Sequence, residues 1–265
     1  MAPVTDTPLK GLCIAVTRER GRAQEMADAL TRLGATPVVC PMITFLPPTS
    51  WQDADEALSR LATFSWLIFT SINGVAYFCG RAKERGVPLS QLKSHRIACV
   101  GEATAGELHK FGLTPDFIPE EQSSEELLQA LSRMMKLSGQ KLLLPRGDLS
   151  GSLLRDGLRK QGALVSDPMV YRNVPDEQGG KQLLEALTAS RVQVVCFSSP
   201  STAANAVKAL GTHAATLLKN VRSYSIGPMT SVALRELGIE PTAEARQHDV
   251  LGLIDAVVAG ERGRG

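Results

Sequence analysis

Six short segments of this chain place hydroxyls, glycines and two arginines directly behind apolar runs of strand character. They are Thr17-Arg18, Thr70-Ser71-Ile72-Asn73-Gly74, Gly101-Glu102-Ala103-Thr104, Pro145-Arg146-Gly147, Ser198-Ser199-Pro200-Ser201-Thr202 and Gly227-Pro228-Met229-Thr230. In α/β sheets ligands bind outside the carboxyl ends of the strands, so the residues just after each strand are the candidates for chemistry. Free backbone N–H groups and the positive end of a helix dipole suit such turns to carboxylates or phosphates, and Ser and Thr add donors. Each turn taken singly reads first as a helix N-cap, where Ser, Thr and Asn are preferred. Six of them in two related sheets point to an anionic ligand.

Tyr171 ends the Val165 to Val170 run inside a Pro-rich stretch. Its phenol could donate a proton or a hydrogen bond there, although packing with a satisfied hydroxyl is the usual fate of a partly buried Tyr. Other chemistries find no support. Gly101 to Gly106 has the first spacing of a P-loop, but Glu107 stands where Lys should follow. Arg146-Gly147-Asp148-Leu149-Ser150-Gly151 lacks dinucleotide spacing, and no Gly-x-Ser-x-Gly elbow occurs. His95, His109, His213 and His248 are far apart, and Cys13, Cys40, Cys79, Cys99 and Cys196 are scattered through apolar runs. That pattern predicts reduced, buried thiols and no metal site.

The elements that must position these turns are repeated. Leu9 to Arg18 is answered by Leu137 to Arg146, a shift of 146 − 18 = 128, and Phe69-Thr70-Ser71 falls on Phe197-Ser198-Ser199. After a two-residue slip, Val100-Gly101 and Thr104 match Ile226-Gly227 and Thr230 (227 − 101 = 126). Short apolar runs alternate with helical patterns: Leu12 to Val16 then Ala23 to Leu33, Trp66 to Phe69 then Ile72 to Arg85, Arg96 to Val100 then Ala103 to Phe111. Lys141 to Leu144, Val192 to Phe197 and Arg222 to Ile226 lead similar units in the second copy. This alternation predicts an α/β protein with two flavodoxin-like domains, each a parallel sheet covered by helices. Ser123, three residues before Glu126, predicts a capping box, and Gly112 and Gly238 close helices. The copies could fold end to end, or the chain could cross over after Pro41 and return near Tyr171. Either way, a cleft between two domains is the natural place for a ligand.

With 265 residues, 43% hydrophobic, 21% charged and 5% aromatic, and a net charge of +2, the chain can build two cores but has no broad basic face and few platforms for bases. Nucleic acid is therefore not an expected partner. Met1 to Asp6 lacks a basic region followed by an apolar one, and no apolar run nears the ~18 residues of a membrane span. The expectation is a soluble, cytoplasmic protein with no membrane partner and a frayed Gly260 to Gly265 tail. A two-lobed intracellular protein closing on an anionic metabolite fits these features, though no output segment accompanies it. A flavin carrier fits the sheets, but the candidate turns lack aromatic residues.

Taken in order, several segments resemble the uroporphyrinogen-III synthase family: Thr17-Arg18, Phe69 to Val75, Val100 to Ala105, Ser123 to Leu127, Leu144 to Gly147, Val170-Tyr171, Phe197 to Ser201 and Ile226 to Thr230. The resemblance implies two domains joined by a two-stranded linker, residues 1–40 with 174–265 forming one and 46–167 the other, with 41–45 and 168–173 between them. It implies cofactor-free cyclisation of hydroxymethylbilane, with loss of water and inversion of the last ring through a spiro-pyrrolenine. Tyr171 would act on the departing hydroxyl. Thr17, Arg18, Thr70, Ser71, Asn73, Gly101, Thr104, Arg146, Ser198, Ser199, Ser201, Gly227, Pro228, Met229 and Thr230 would hold the substrate's carboxylates. Met229 stands where some members carry a second hydroxyl, which leaves that contact to a backbone N–H. A monomer, in transient contact with the preceding enzyme of the pathway, is the implied working form.

Overall fold

The computed structural model describes residues 7–263. Residues 1–6, on which the expectation about a leader rests, and 264–265, the end of the expected tail, lie outside the described residues. The chain divides into two compact units, one up to Thr44 and from Val174 onward, the other Phe45–Asn173.

The first unit opens with β1 (Cys13–Val16), α1 (Arg20–Arg32) and β2 (Thr36–Val39), and the chain then leaves along β3 (Ile43–Leu46). The second unit follows as α2 (Gln52–Ser59), β4 (Trp66–Phe69), α3 (Ile72–Glu84), α4 (Leu89–Lys93), β5 (Arg96–Cys99), α5 (Glu102–Lys110), α6 (Ser124–Met134), β6 (Lys141–Leu143), β7 (Arg146–Gly147), α7 (Leu153–Lys160) and β8 (Leu164–Ser166). The chain returns along β9 (Met169–Pro175). It then completes the first unit with α8 (Glu177–Thr188), β10 (Val194–Phe197), α9 (Pro200–Leu210), α10 (Ala214–Lys219), β11 (Arg222–Ser225), α11 (Pro228–Glu236), β12 (Ala243–Glu244) and α12 (Val250–Arg262).

The first unit's sheet has the order β12-β11-β10-β1-β2, and all its pairs are parallel. Counted along the chain from β1, this is the 2-1-3-4-5 arrangement of flavodoxin-like sheets, whose order reverses between β1 and β10. The second unit's sheet, β5-β4-β6-β8, is also parallel throughout, and Phe117 extends it by a parallel bridge to Ala98. The 128-residue shift carries β1, β2 and β10 onto β6, β8 and β4. The two sheets therefore share one spatial order, although the chain enters the second at a different strand.

The central strands β1, β4 and β10 are apolar throughout because both faces of each sheet are covered. Leu67 and Phe69 of β4 enter one core with Phe78 and Leu108, while Trp66 and Ile68 enter another with Leu127 and Leu158. In the same way Ala15 of β1 faces the core of Leu183 and Phe197, while Ile14 and Val16 face that of Met26 and Leu253.

Three local expectations change. Tyr171 lies within β9, because Asp167 and Pro168 interrupt the run and start a new strand. Ser123 caps α6 by accepting from Glu126 N–H at 3.1 Å, but the Glu126 carboxylate binds Arg133 instead of closing the box. The expected frayed tail is helical as far as Arg262, where α12 ends, with Glu261 held by Arg222 and Tyr224. Gly112 and Gly238 do close helices, at φ +68° and +77°.

Candidate functional site

Each sheet reverses its strand order once, and the residues above that point are the place to look for a ligand. In the second unit the point lies between β4 and β6. A pocket of about 330 Å³ opens there, lined by Thr70, Ser71, Ser124, Arg146, Ser150 and Arg155 among others. Ser71 is the N-cap of α3, its Oγ accepting from Gly74 N–H at 3.0 Å. The same oxygen lies 3.2 Å from the Tyr171 hydroxyl. Tyr171 is half-buried, stacked on Tyr77 at 5.7 Å and met edge-on by Phe45 at 5.6 Å.

The cation of this turn is already neutralised in part. Arg146 Nε donates to Asp167 at 2.9 Å, Arg159 reaches the other oxygen at 2.6 Å, and Arg155 lies 3.6 Å away. Asp156 takes the Nε of Arg155 at 2.8 Å, and this contact raises the Arg155 guanidinium above its ordinary pKa. Three guanidiniums thus meet two carboxylates, and Glu125 on the same pocket wall supplies a third, so the charges here balance. The neighbouring turn is built differently. Gly101 precedes α5 with no side-chain cap, and Glu102 N–H donates to Gln122 Oε1 at 3.2 Å. A Cβ at Gly101 would collide with Gln122, so this glycine makes room for a substitute cap. Asn73 is half-buried on the first turn of α3, and Thr104 is 6% exposed.

In the first unit the corresponding point lies between β1 and β10. Thr17 is wholly buried and donates to Cys196 O at 2.7 Å, which ties the two strands together above the reversal. Arg18 follows it. Its Nε is buried and has no hydrogen-bond partner among the described residues, and burial, then Arg22, pull the guanidinium below its ordinary pKa. Glu25 and Glu19 act on the charge in the opposite sense, but the buried Nε–H still lacks an acceptor, which a ligand oxygen could supply. Ser199 closes a capping box with Thr202 at the start of α9 and exchanges a hydrogen bond with Ser201 at 3.0 Å. Ser198 is half-buried just before it. At α11, Gly227 and Pro228 form the N-terminus, Met229 is 73% exposed, and Thr230 is 2% exposed. The exposed side of that turn is therefore Met229 and backbone, while Thr230 stays inside.

The structure thus gathers Thr70, Ser71, Arg146 and Tyr171 at one strand-order reversal, and Thr17, Arg18, Ser198 and Ser199 at the other. Sequence reasoning missed Ser124, Ser150, Arg155, Gln122 and Asp167. Asp167 had a signal: it falls opposite Val39 under the repeat (167 − 128 = 39), an acid where the other copy is apolar. Burial also silences most of the thiols, pushing Cys40 and Cys99 up to about 11 and Cys79 and Cys196 to about 12.

Two related parallel sheets with anion-receptive strand ends, one carrying a held phenol and the other an unpaired guanidinium nitrogen, define a two-unit α/β protein suited to a polycarboxylate. The comparisons make the class specific. The family model of uroporphyrinogen-III synthase HemD matches residues 24–255. A uroporphyrinogen-III synthase of Synechococcus elongatus is 31% identical over 96% of this chain and 97% of its own length. One from Chlorobaculum parvum is 28% identical over 86% and 90%. Among solved structures, a mutant uroporphyrinogen III synthase of Thermus thermophilus shares the fold at TM-score 0.64 and 20% identity, over 96% of this chain and 100% of that one. A uroporphyrinogen-III synthetase of Helicobacter pylori does so at 0.64 and 20%, over 94% and 99%. The chain belongs to the uroporphyrinogen-III synthase family, enzymes of tetrapyrrole synthesis.

Proposed function

We propose that the chain cyclises hydroxymethylbilane to uroporphyrinogen III, with the unpaired Nε of the Arg18 guanidinium as the observation that carries the reading. The substrate bears eight acetate and propionate groups, and a buried guanidinium N–H without an acceptor is a site such a group completes. Arg146 and Arg155, with Thr70, Ser71 and Asn73, take further carboxylates in the second unit. Ser198, Ser199, Ser201 and the Gly101, Thr104 and Gly227 to Thr230 turns complete the set, the last through backbone N–H groups. Thr17 contributes by fixing the base of Arg18.

In this reading Tyr171 protonates the terminal hydroxyl, which leaves as water and creates an azafulvene cation on the first ring. The substituted carbon of the fourth ring attacks that cation to give the spiro-pyrrolenine. The older bond from that carbon to the bridge of the third ring then breaks, leaving an azafulvene cation on the third ring. The free α-carbon of the fourth ring, on the other side of its nitrogen, attacks it, and the proton that carbon loses restores the phenol. Holding the chain folded favours the spiro path over direct closure, an effect of orientation. The protein works as a cytoplasmic monomer, meets the preceding enzyme of the pathway transiently, and needs no cofactor, metal, nucleic acid or membrane. Its net charge of +2 suits that, and no described helix is long and apolar enough to cross a membrane.

The test is to supply freshly generated hydroxymethylbilane, oxidise the products and separate the isomers. Spontaneous closure gives type I, so protein-dependent type III establishes both cyclisation and ring inversion. Type I alone from folded protein would sink the proposal.

A further inference from the structure

A tyrosine on a strand edge turns freely about its side-chain torsions unless its surroundings stop it. Here they act from every side. Tyr77 covers one face, with 28° between the rings, and Phe45 meets the edge at 87°. Ser71 Oγ holds the hydroxyl at 3.2 Å. Near the outer part of the ring stands Gly147, where a Cβ would fall 2.6 Å from Tyr171 Cε2 and 2.8 Å from Oη. These are distances that real Cβ atoms essentially never show, so only glycine leaves the ring in place.

The parts of this seat are themselves fixed. Gly147 pairs with Tyr171 across β7 and β9 at a register shift, and its N–H donates to Ser150 Oγ at 3.0 Å. Asp148 N–H donates to Tyr171 O at 3.2 Å, so the two backbones cannot drift apart. The Tyr77 hydroxyl donates to the backbone carbonyl of Phe45 at 2.8 Å and ties the Tyr77 ring to the backbone of β3. Ser71 is anchored as the cap of α3, with Gly74 N–H occupying one of its lone pairs.

We infer that Gly147 and Tyr77 are positioning residues for Tyr171, which with Ser71 hold its phenol in one orientation. Ser71 donates its proton to the Tyr171 oxygen, and the phenolic proton is left for the departing group. This rests on the role proposed above for Tyr171, and neither Gly147 nor Tyr77 needs to touch substrate.

The experiment has two independent readouts on the full chain, for Gly147→Ala and Tyr77→Phe in the native and the Tyr171→Phe backgrounds. The first is NMR of protein labelled at tyrosine Cζ, which has three signals to assign because the chain has three tyrosines. Both variants should shift the Tyr171 signal and leave that of Tyr224 in place; an unmoved Tyr171 signal overturns the inference whatever the activity. The second is type III formation. Gly147→Ala should lower kcat about 30-fold with KM nearly unchanged, and Tyr77→Phe should lower it about fivefold. In the Tyr171→Phe background each should cost less than about twofold, because the phenol they position is gone. Equal losses in both backgrounds would show a merely structural role and overturn the inference. If Gly147→Ala does not fold, Tyr77→Phe, which removes one oxygen, decides both readouts. If the wild type makes no type III, the synthase reading falls while the Tyr171 signal still decides the seat.

Discussion

Arg18 and Arg146 occupy the same place in the two copies of the repeat, each above the point where its sheet reverses strand order, and they meet opposite surroundings. Arg146 finds Asp167 at 2.9 Å, at the end of the adjacent strand β8. Arg18 finds no partner for its Nε among the described residues, because the residue matching Asp167 is Val39 at the end of β2. The register is the same in both: β1 pairs with β2 through Val16 and Val39, and one step past the last pair of β6 and β8 stand Leu144 and Asp167. One acid therefore separates a guanidinium whose Nε is paired within its own unit from one whose Nε has no partner among the described residues. The crossings differ in the same way, since Tyr171 in β9 falls opposite Ile43 in β3 (171 − 128 = 43). Of the two crossing strands, only β9 carries a phenol at this matched position.

The largest effect should come from that phenol. Tyr171→Phe keeps the ring, its stacking on Tyr77 and its contact with Phe45, and removes only the hydroxyl. We expect kcat to fall about 100-fold, the low end of general acid catalysis, with type III still formed and the melting temperature nearly unchanged. Single-turnover rates and isomer analysis would check it; undetectable turnover in a folded variant would mean that the substrate's hydroxyl cannot leave without Tyr171.

The two arginines should then separate by what they lose. Arg18→Met removes a buried charge whose Nε has no internal partner, so stability should hold or rise, while KM for hydroxymethylbilane rises about 30-fold, as when one side of a buried charged contact is lost. Arg146→Met should give the reverse pattern. It destabilises by about 1.5 kcal/mol, the worth of a hydrogen bond between charged groups, and KM rises only a few-fold because Arg155 remains at the pocket. Thermal melts without substrate, set beside KM, would decide. Matching losses for both arginines would erase the contrast.

A finer cut exchanges the surroundings and leaves the arginines alone. Val39→Asp gives the first unit the acid that the second already has. The new carboxylate should pair with Arg18, raise the melting temperature by a few degrees, and cost about tenfold in KM by competing with the substrate. If affinity is unchanged while stability rises, Arg18 is not where a substrate carboxylate binds.

How much of this was legible follows from what each kind of residue must do. Strands such as Trp66–Phe69 were readable to the residue because a sheet covered on both faces demands an unbroken apolar run. The helix starts at Ser71 and Ser199 were readable because caps are local chemistry. The repeat was readable too, although the periodicity alone left open whether the copies fold end to end or cross over. Asp167 was not, because its meaning depends on three arginines from other segments that converge on it. Gln122 was hidden for the same reason: it caps α5 from 20 residues away. Gly147 read only as part of a turn after a strand, and it proves to be the space that the Tyr171 ring occupies. Pairings across long separations carry no periodicity, and only a comparison of the two copies hints at them.

The smallest predicted effect concerns Ser71 and Ser199, which also match under the repeat. Each caps a helix, so alanine at either should cost about 1 kcal/mol of stability. They part in their second contact: Ser199 spends it on Ser201 at 3.0 Å, within its own turn, and Ser71 on Tyr171 at 3.2 Å. Ser199→Ala should therefore leave kcat within about twofold of wild type, while Ser71→Ala lowers it about fivefold for a comparable loss of stability. Melting temperatures would confirm that the two variants are matched in stability, and kcat would then isolate the contact to the phenol. If Ser199→Ala slows turnover as much as Ser71→Ala does, the first unit's cap is itself engaged with the substrate during the reaction. The specialisation of the second unit would then rest on Tyr171 alone.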